Sequence, residues 1–439
     1  MLMDITAIGG YNEFGRNMTV VSFGNESIII DMGIRLDRVM VHEDTDISEM
    51  TNGEMVQKGI IPDVSPVKGK VRAIVLSHGH LDHIGAAPRL AAKYNAPIIG
   101  APYTIELLKS EKKFDKKFTF NNFQVLNPGE TTEVAPQISV EFVHVTHSIP
   151  HSSLVAVHGP DGTLLYANDF KFDDFPGIGQ KPDYKRLKEL GEEGVKCLVV
   201  ESTRVAEERR TASEKIVRAM LLDNLVKADE DKGLVLTTFS SHIARINTIV
   251  KTAQLMDRKP VLVGRSMGKY SGIAEKLGII NLPKNVETYV NSRAVKKTFK
   301  RIADEGKEKY MLLVTGHQGE PDAMLSRMAN RTFDYTFERG DQVIFSADVI
   351  PNPMNVANRY ALETKLRIHG AHLIKDVHVS GHASREDHRD LLRMVNPENI
   401  IPCHGDLQMQ ASYAELAEEY GYEFNKNLFL VRNGQKAKL

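Results

Sequence analysis

The chain has 439 residues, 42% of them hydrophobic and 26% charged, and a formal net charge of −1. That length holds two or three domains with proper cores, and the balance is ordinary for a globular protein. A near-neutral total excludes polyanion binding driven by an overall excess of Lys and Arg.

No apolar run reaches membrane-spanning length, and MLMDITAIGGYNEFG lacks a basic region followed by an apolar stretch, so a soluble, cytoplasmic protein is expected. Two cysteines, Cys197 and Cys403, give no disulfide framework and read as packing residues.

In chain order, MDITAIGG, MTVVSFG, ESIIIDMG and VRAIVLS read as short strands, alternating or wholly apolar. The last runs into SHGHLDHIG, Ser77 to Gly85, which sets three histidines and an aspartate within six positions. His78 lies at the strand's end. His80, two residues on, points the same way in an extended chain, while Asp82 and His83 fall where HIGAAPRLAAKY begins a helical pattern. One imidazole in a loop is commonly a solvated side chain; four ligand-type groups at this spacing point to a metal. Imidazole suits zinc, and carboxylates accept zinc or manganese.

Further ligand-type residues recur at strand ends. VEFVHVTHSIPHSS offers His144, His147 and His151, with His147 at the end of an alternating run. GTLLYANDF places Asp169 just after LLYA, and NIIPCHGD sets His404 after another apolar run. Loops carried on a rigid sheet are where a site is built.

After ESTR, Glu201 to Arg204, the rhythm changes. GLVLTTF, PVLVGR, YMLLVTG and QVIFSA are strands mostly followed by helical stretches. In SHIARINTIVKTAQLMDRK, Ile243, Ile246, Val250 and Ala253 form one apolar face. Strands alternating with helices imply a parallel sheet, so 203–360 reads as an inserted Rossmann-like domain between a first part, 1–202, and a C-terminal part, 361–439.

The insertion has no G-x-G-x-x-G or P-loop sequence, which disfavours a nucleotide cofactor. Its strand-end loops FSSH, GRSM and TGHQGE make Ser240, Ser241, Arg265, Ser266 and Gln318 candidates to line an RNA channel, with ordinary capping and turn roles as the alternative. The acid-free segment SRAVKKTFKR reads equally as a solvated helix face or an RNA track.

Asp31, the His78-x-His80-x-Asp82-His83 run, His147 and Asp169 follow the order of the metallo-β-lactamase superfamily. The ESTR, HVSGHAS and PCHGD blocks resemble its β-CASP nucleases. HSIPHS, FSSHIARI, GRSM, TGHQGEP, FSADVIP and SGHAS resemble ribonuclease J, the archaeal form above all, since nothing follows the core domains. Glu201 stands where bacterial relatives carry Asp, and His151 and His317 stand in place of Asp and Ser.

The resemblance implies an α/β fold: an αββα sandwich with an inserted β-CASP domain. It implies two divalent ions, zinc or manganese, with His78, His80 and His147 on one, Asp82, His83 and His404 on the other, and Asp169 bridging. Water activated by the pair attacks phosphorus. His382, oriented by Glu201, meets the scissile phosphate and assists departure of the 3′ oxygen. Asp31 holds the HGHLDH loop, or is a plain turn aspartate before Gly33. The implied activity is 5′-to-3′ exonuclease action on single-stranded RNA, with a preference for a 5′ monophosphate bound by Ser380, Gly381, His382 and Ala383, in a homodimer.

The alternatives are an endonuclease of the 3′-end-processing type, disfavoured because Met1 leads straight into the first strand, a small-molecule metallohydrolase, which would need neither the insertion nor SGHAS, and an inactive RNA-binding relative.

Overall fold

The computed structural model describes residues 3–41, 49–112, 122–350 and 352–439. Contacts divide the chain into two units: Met1–Asp174, Gln180–Thr211 and Gly381–Leu439 form the first, Phe175–Gly179 and Ala212–Ser380 the second.

The first unit begins with β1 (Met3–Gly9), β2 (Met18–Phe23), β3 (Glu26–Ile30), β4 (Lys70–Leu76), β5 (Ile98–Gly100) and β6 (Phe123–Val125). It continues with β7 (Thr131–Ala135), β8 (Ile138–His144), β9 (Ser153–Gly159), β10 (Gly162–Ala167) and β11 (Val195–Glu201). The second unit carries β12 (Leu234–Thr237), β13 (Lys259–Val263), β14 (Glu287–Tyr289), β15 (Tyr310–Val314), β16 (Gln342–Phe345) and β17 (His372–Ile374). The chain re-enters the first unit with β18 (Ile400–Cys403) and β19 (Lys436–Lys438).

Among the described residues the first unit has two sheets, ordered β19-β1-β2-β3-β4-β5-β6 and β18-β11-β10-β9-β8-β7. Their facing sides share one core, in which Ile28, Ile30 and Val75 of the first sheet meet Val140, Phe142 and Tyr166 of the second. On β8 the alternation places Val143 on the opposite face, against the apolar sides of helices Tyr184–Glu193 and Arg385–Val395 through Leu187, Leu190, Leu391 and Leu392. Strands covered on both faces read as unbroken apolar runs such as Ile28-Ile29-Ile30, each fully buried.

The second unit is a parallel sheet in the order β14-β13-β15-β12-β16-β17. Helix Ile243–Leu255 buries Ile243, Ile246, Val250 and Ala253, the face read from the sequence. It also buries Arg245, whose guanidinium pairs with Glu214 and donates to Ser346.

The second unit does not end at 360 as expected from the sequence. β17 adds to the sheet beside β16, and helix Pro353–Ile368 leads into it, so 361–380 stays in this unit. Residues 203–211 stay in the first, where the Thr211 hydroxyl donates to the His382 carbonyl and the Thr211 N–H to the Asp387 carboxylate. No helix among the described residues is long and apolar enough to cross a membrane.

Candidate metal centre

The ends of six strands of the first unit converge on one buried volume. Asp31 follows β3, His78 follows β4, His147 lies three residues beyond β8, Asp169 two beyond β10, Glu201 closes β11 and His404 follows β18. His80 caps the short helix Leu81–Ile84, which carries Asp82 and His83. His78, His83, Asp169, Glu201 and His404 are at most 2% exposed.

Two ligand sets result, sharing one carboxylate: His78, His80, His147 and Asp169, and Asp82, His83, His404 and Asp169. His80 Nδ1 stands 3.1 Å from both His78 Nε2 and His147 Nε2. Asp169 Oδ2 is 3.4 Å from His78 Nε2, 3.4 Å from His83 Nε2 and 3.5 Å from His147 Nε2, while Oδ1 is 3.4 Å from His404 Nε2. Asp82 Oδ2 lies 3.7 Å from His83 Nε2 and 3.8 Å from His404 Nε2.

Four donors about 2.1 Å from a tetrahedral zinc stand about 3.4 Å from one another, and these separations of 3.1 to 3.8 Å bracket that value. Among the described residues, Asp169 Oδ1 and His404 Nε2 are also buried without a hydrogen-bond partner, a costly arrangement unless a cation takes them. The residues fit a pair of divalent ions.

All five imidazoles have their outward nitrogen engaged: that of His80 is Nε2, 3.4 Å from Ser148 Oγ, and those of the other four are Nδ1. His78 Nδ1 meets Ser77 Oγ at 3.0 Å, and that hydroxyl donates to Asp31 Oδ2 at 2.9 Å. His83 Nδ1 donates to Asp31 Oδ2 at 2.7 Å, His147 Nδ1 to the Gly381 carbonyl at 2.7 Å and His404 Nδ1 to Asn17 Oδ1 at 2.9 Å. Each Nδ1 bond fixes the tautomer and turns the Nε2 lone pair inward. Asp31 also accepts the Ser77 N–H at 2.8 Å, so one carboxylate carries both ends of the histidine loop. Gly33 has its own reason: a Cβ there would stand 1.6 Å from the Asp82 carbonyl.

Burial pushes His80 and His147 below the ordinary imidazole range. Burial opposes protonation of His83 as well, but Asp169, Asp82 and Asp31 outweigh it and raise the group. Beside the ligands, His382 Nδ1 donates to Glu201 Oε2 at 2.7 Å, and burial of His382 is overcome by the Glu201 and Asp169 carboxylates, which push it up to about 9. Burial would raise Glu201, but His382 holds it down at about 2. Glu201 also accepts the Phe170 N–H at 2.9 Å and the Thr203 hydroxyl, which ties it to the segment bearing Asp169.

Other expected residues are placed differently. Gly381 turns its carbonyl to His147, and the Ala383 methyl lies in the helix-side core, so what these two have for a terminal phosphate is their backbone N–H groups. Ser380 belongs to the second unit. In that unit Ser240 Oγ and Ser266 Oγ are 2.9 Å apart, Ser241 is half-buried and Arg265 exposed. Gln318 is buried: its amide donates to the Asp348 carbonyl and accepts the Ile350 N–H, which makes it a loop brace rather than a channel-lining residue. His144 Nε2 meets the Gln180 carbonyl at 3.0 Å, outside both ligand sets. Ser77, Thr203 and Asn17 escaped the sequence reading, because a hydroxyl or amide supporting a ligand has no spacing signature.

Three family models cover the chain: the metallo-β-lactamase superfamily over 11–191, the ribonuclease J β-CASP domain over 231–361 and the Zn-dependent metallo-hydrolase RNA specificity domain over 369–427. The chain is 53% identical to ribonuclease J of Methanocaldococcus jannaschii, over 99% of this chain and 98% of that one. The chain belongs to the ribonuclease J family. It is 51% identical to ribonuclease J of Pyrococcus abyssi, over 100% and 97% of the two chains, and 32% identical to that of Synechocystis, over 100% and 66%. A crystal structure from Enterococcus faecalis, described as a protein of unknown function, shares the fold with a TM-score of 0.68 at 17% identity, covering 100% of both chains. Membership makes the protein a hydrolytic, metal-binding ribonuclease with metallo-β-lactamase and β-CASP domains.

Proposed function

We propose that the protein is a 5′-to-3′ exoribonuclease that prefers 5′-monophosphate ends of single-stranded RNA and works in the cytoplasm as a homodimer. The observation that carries the chemistry is the sharing of Asp169 between two ligand sets, with the His382–Glu201 pair at their edge.

We assign His78, His80 and His147 to one zinc ion and Asp82, His83 and His404 to the other, Asp169 bridging, with manganese as the alternative metal. When bound, such a pair neutralises phosphate charge and lowers the pKa of water toward neutrality. The chain's own groups do the rest. Asp31 and Ser77 hold His78 and His83 in place. Glu201 keeps His382 charged and oriented, so that its Nε2–H can bind the scissile phosphate and pass a proton to the departing 3′ oxygen. We assign Ser380, His382 and the backbone N–H groups of Gly381 and Ala383 to a terminal phosphate, and Ser240, Ser241, Arg265 and Ser266 to the RNA backbone.

The test uses one RNA in 5′-monophosphate and 5′-triphosphate forms, labelled at the 3′ end, beside His80→Ala. Steady loss of full-length monophosphate RNA to a minimal labelled remnant, slower on the triphosphate and absent in the variant, is the expected result. Discrete internal fragments indifferent to the 5′ group would make the protein an endonuclease.

A further inference from the structure

Asn17, in the loop between β1 and β2, is outside every ligand set, yet its side chain is 1% exposed and turned into the site. Its amide reaches all three ligands that belong to the second set alone. Nδ2 donates to the Asp82 carbonyl at 3.2 Å and to His83 Nε2 at 3.0 Å, the latter a contact that an ion on that nitrogen would replace, while Oδ1 accepts from His404 Nδ1 at 2.9 Å. The backbone joins in: Asn17 N–H donates to the same Asp82 carbonyl at 2.9 Å, and its carbonyl accepts the Gly33 N–H at 3.0 Å. Among the described residues it makes no hydrogen bond to His78, His80 or His147.

The orientation of the amide is settled by its partners. A carbonyl oxygen only accepts, so the group facing Asp82 O must be the NH2, and Oδ1 must face His404. His404 Nδ1 therefore carries the hydrogen, and its Nε2, buried without a hydrogen-bond partner among the described residues and 3.4 Å from Asp169 Oδ1, is left as a bare lone pair. The other tautomer would aim an N–H into the ion's position.

The surrounding chain is shaped to admit the amide. A Cβ on Gly10, which has a φ of 85°, would lie 2.3 Å from Asn17 Oδ1, and the Gly10 carbonyl accepts the His404 N–H at 2.6 Å.

We infer that Asn17 is a positioning residue for one of the two ions: it assembles the Asp82–His83–His404 site and leaves the His78–His80–His147 site to other supports. This rests on the two-site reading above. Loss of a group that orients a ligand typically lowers metal affinity about 10- to 100-fold, and here the loss should fall on one site only.

The test is zinc binding by the full-length wild type, Asn17→Ala and Asn17→Asp, with free zinc set by a chelator buffer and bound zinc measured by elemental analysis. Cobalt titration followed by its visible absorption gives a second readout. Wild type should bind two ions. Asn17→Ala should keep one at wild-type affinity and bind the other about 10- to 100-fold more weakly, with an unchanged circular dichroism spectrum. Asn17→Asp, which retains an acceptor for His404 but sets an oxygen against the Asp82 carbonyl, should fall between. Two ions at wild-type affinity in Asn17→Ala, or equal weakening of both, would overturn the inference while leaving the two-site reading standing. A single ion in the wild type would overturn both.

Discussion

Asp31, Asp169 and His404 share a backbone feature: their φ values are 61°, 56° and 48°, in the left-handed region that side-chain-bearing residues seldom adopt. Each comes within two residues of a strand end, so the chain breaks abruptly from the sheet and throws the side chain into the site. Such conformations cost roughly 1–3 kcal/mol each and persist where the surroundings over-determine them. The sequence shows the ligands of SHGHLDHIG because they lie within six positions. It cannot show that His404 leans on Asn17, 387 positions away. His382 and Glu201 are likewise 181 positions apart and were found only through the family resemblance. Glu201→Gln keeps the side chain's shape and removes the charge facing His382. Turnover of 5′-monophosphate RNA is expected to fall about 10²- to 10⁴-fold, with two ions still bound. Because Asp169, Glu201 and His382 also cluster closely enough to hold a metal, loss of an ion in this variant would instead make Glu201 a ligand.

The elements that carry the site are tied down by polar clamps as well as by apolar packing. Glu141 on β8, upstream of His147, receives Arg186 of helix Tyr184–Glu193 through Nε at 2.6 Å and Nη2 at 3.1 Å, and meets His158 Nε2 of β9 at 2.9 Å. Burial would raise this carboxyl, but His158 and Arg186 hold it at about 2. A depressed carboxylate stabilises the fold above its unfolded value, near 4.5, and the contribution fades as pH falls toward 2. Glu141→Gln is therefore expected to cost about 1–3 kcal/mol at neutral pH. In thermal melts its deficit against wild type should narrow as pH drops from about 6 to about 3; a constant deficit would count against the clamp. Strands with long apolar runs, such as β4 and β15, were legible because both faces are covered. The three-residue strands β5, β6, β14, β17 and β19 were not, since so short a run has no period to read.

The two-unit division was legible as a change of rhythm after ESTR, and its boundaries were not, because β17 joins its sheet through backbone pairing that leaves no mark on composition. The two ligand sets lie wholly in the first unit. A ligand that binds only the folded form raises stability by mass action, so chelation should lower the calorimetric transition of that unit and leave the second unit's unmoved. Equal displacement of both would show that the units unfold together.

The most direct test of the central claim is anomalous diffraction at the zinc absorption edge from crystals of the zinc-loaded protein. Two peaks about 3.5–4 Å apart, one on either side of the Asp169 carboxylate, are the expected result. A single peak, or a pair that does not share Asp169, would contradict it.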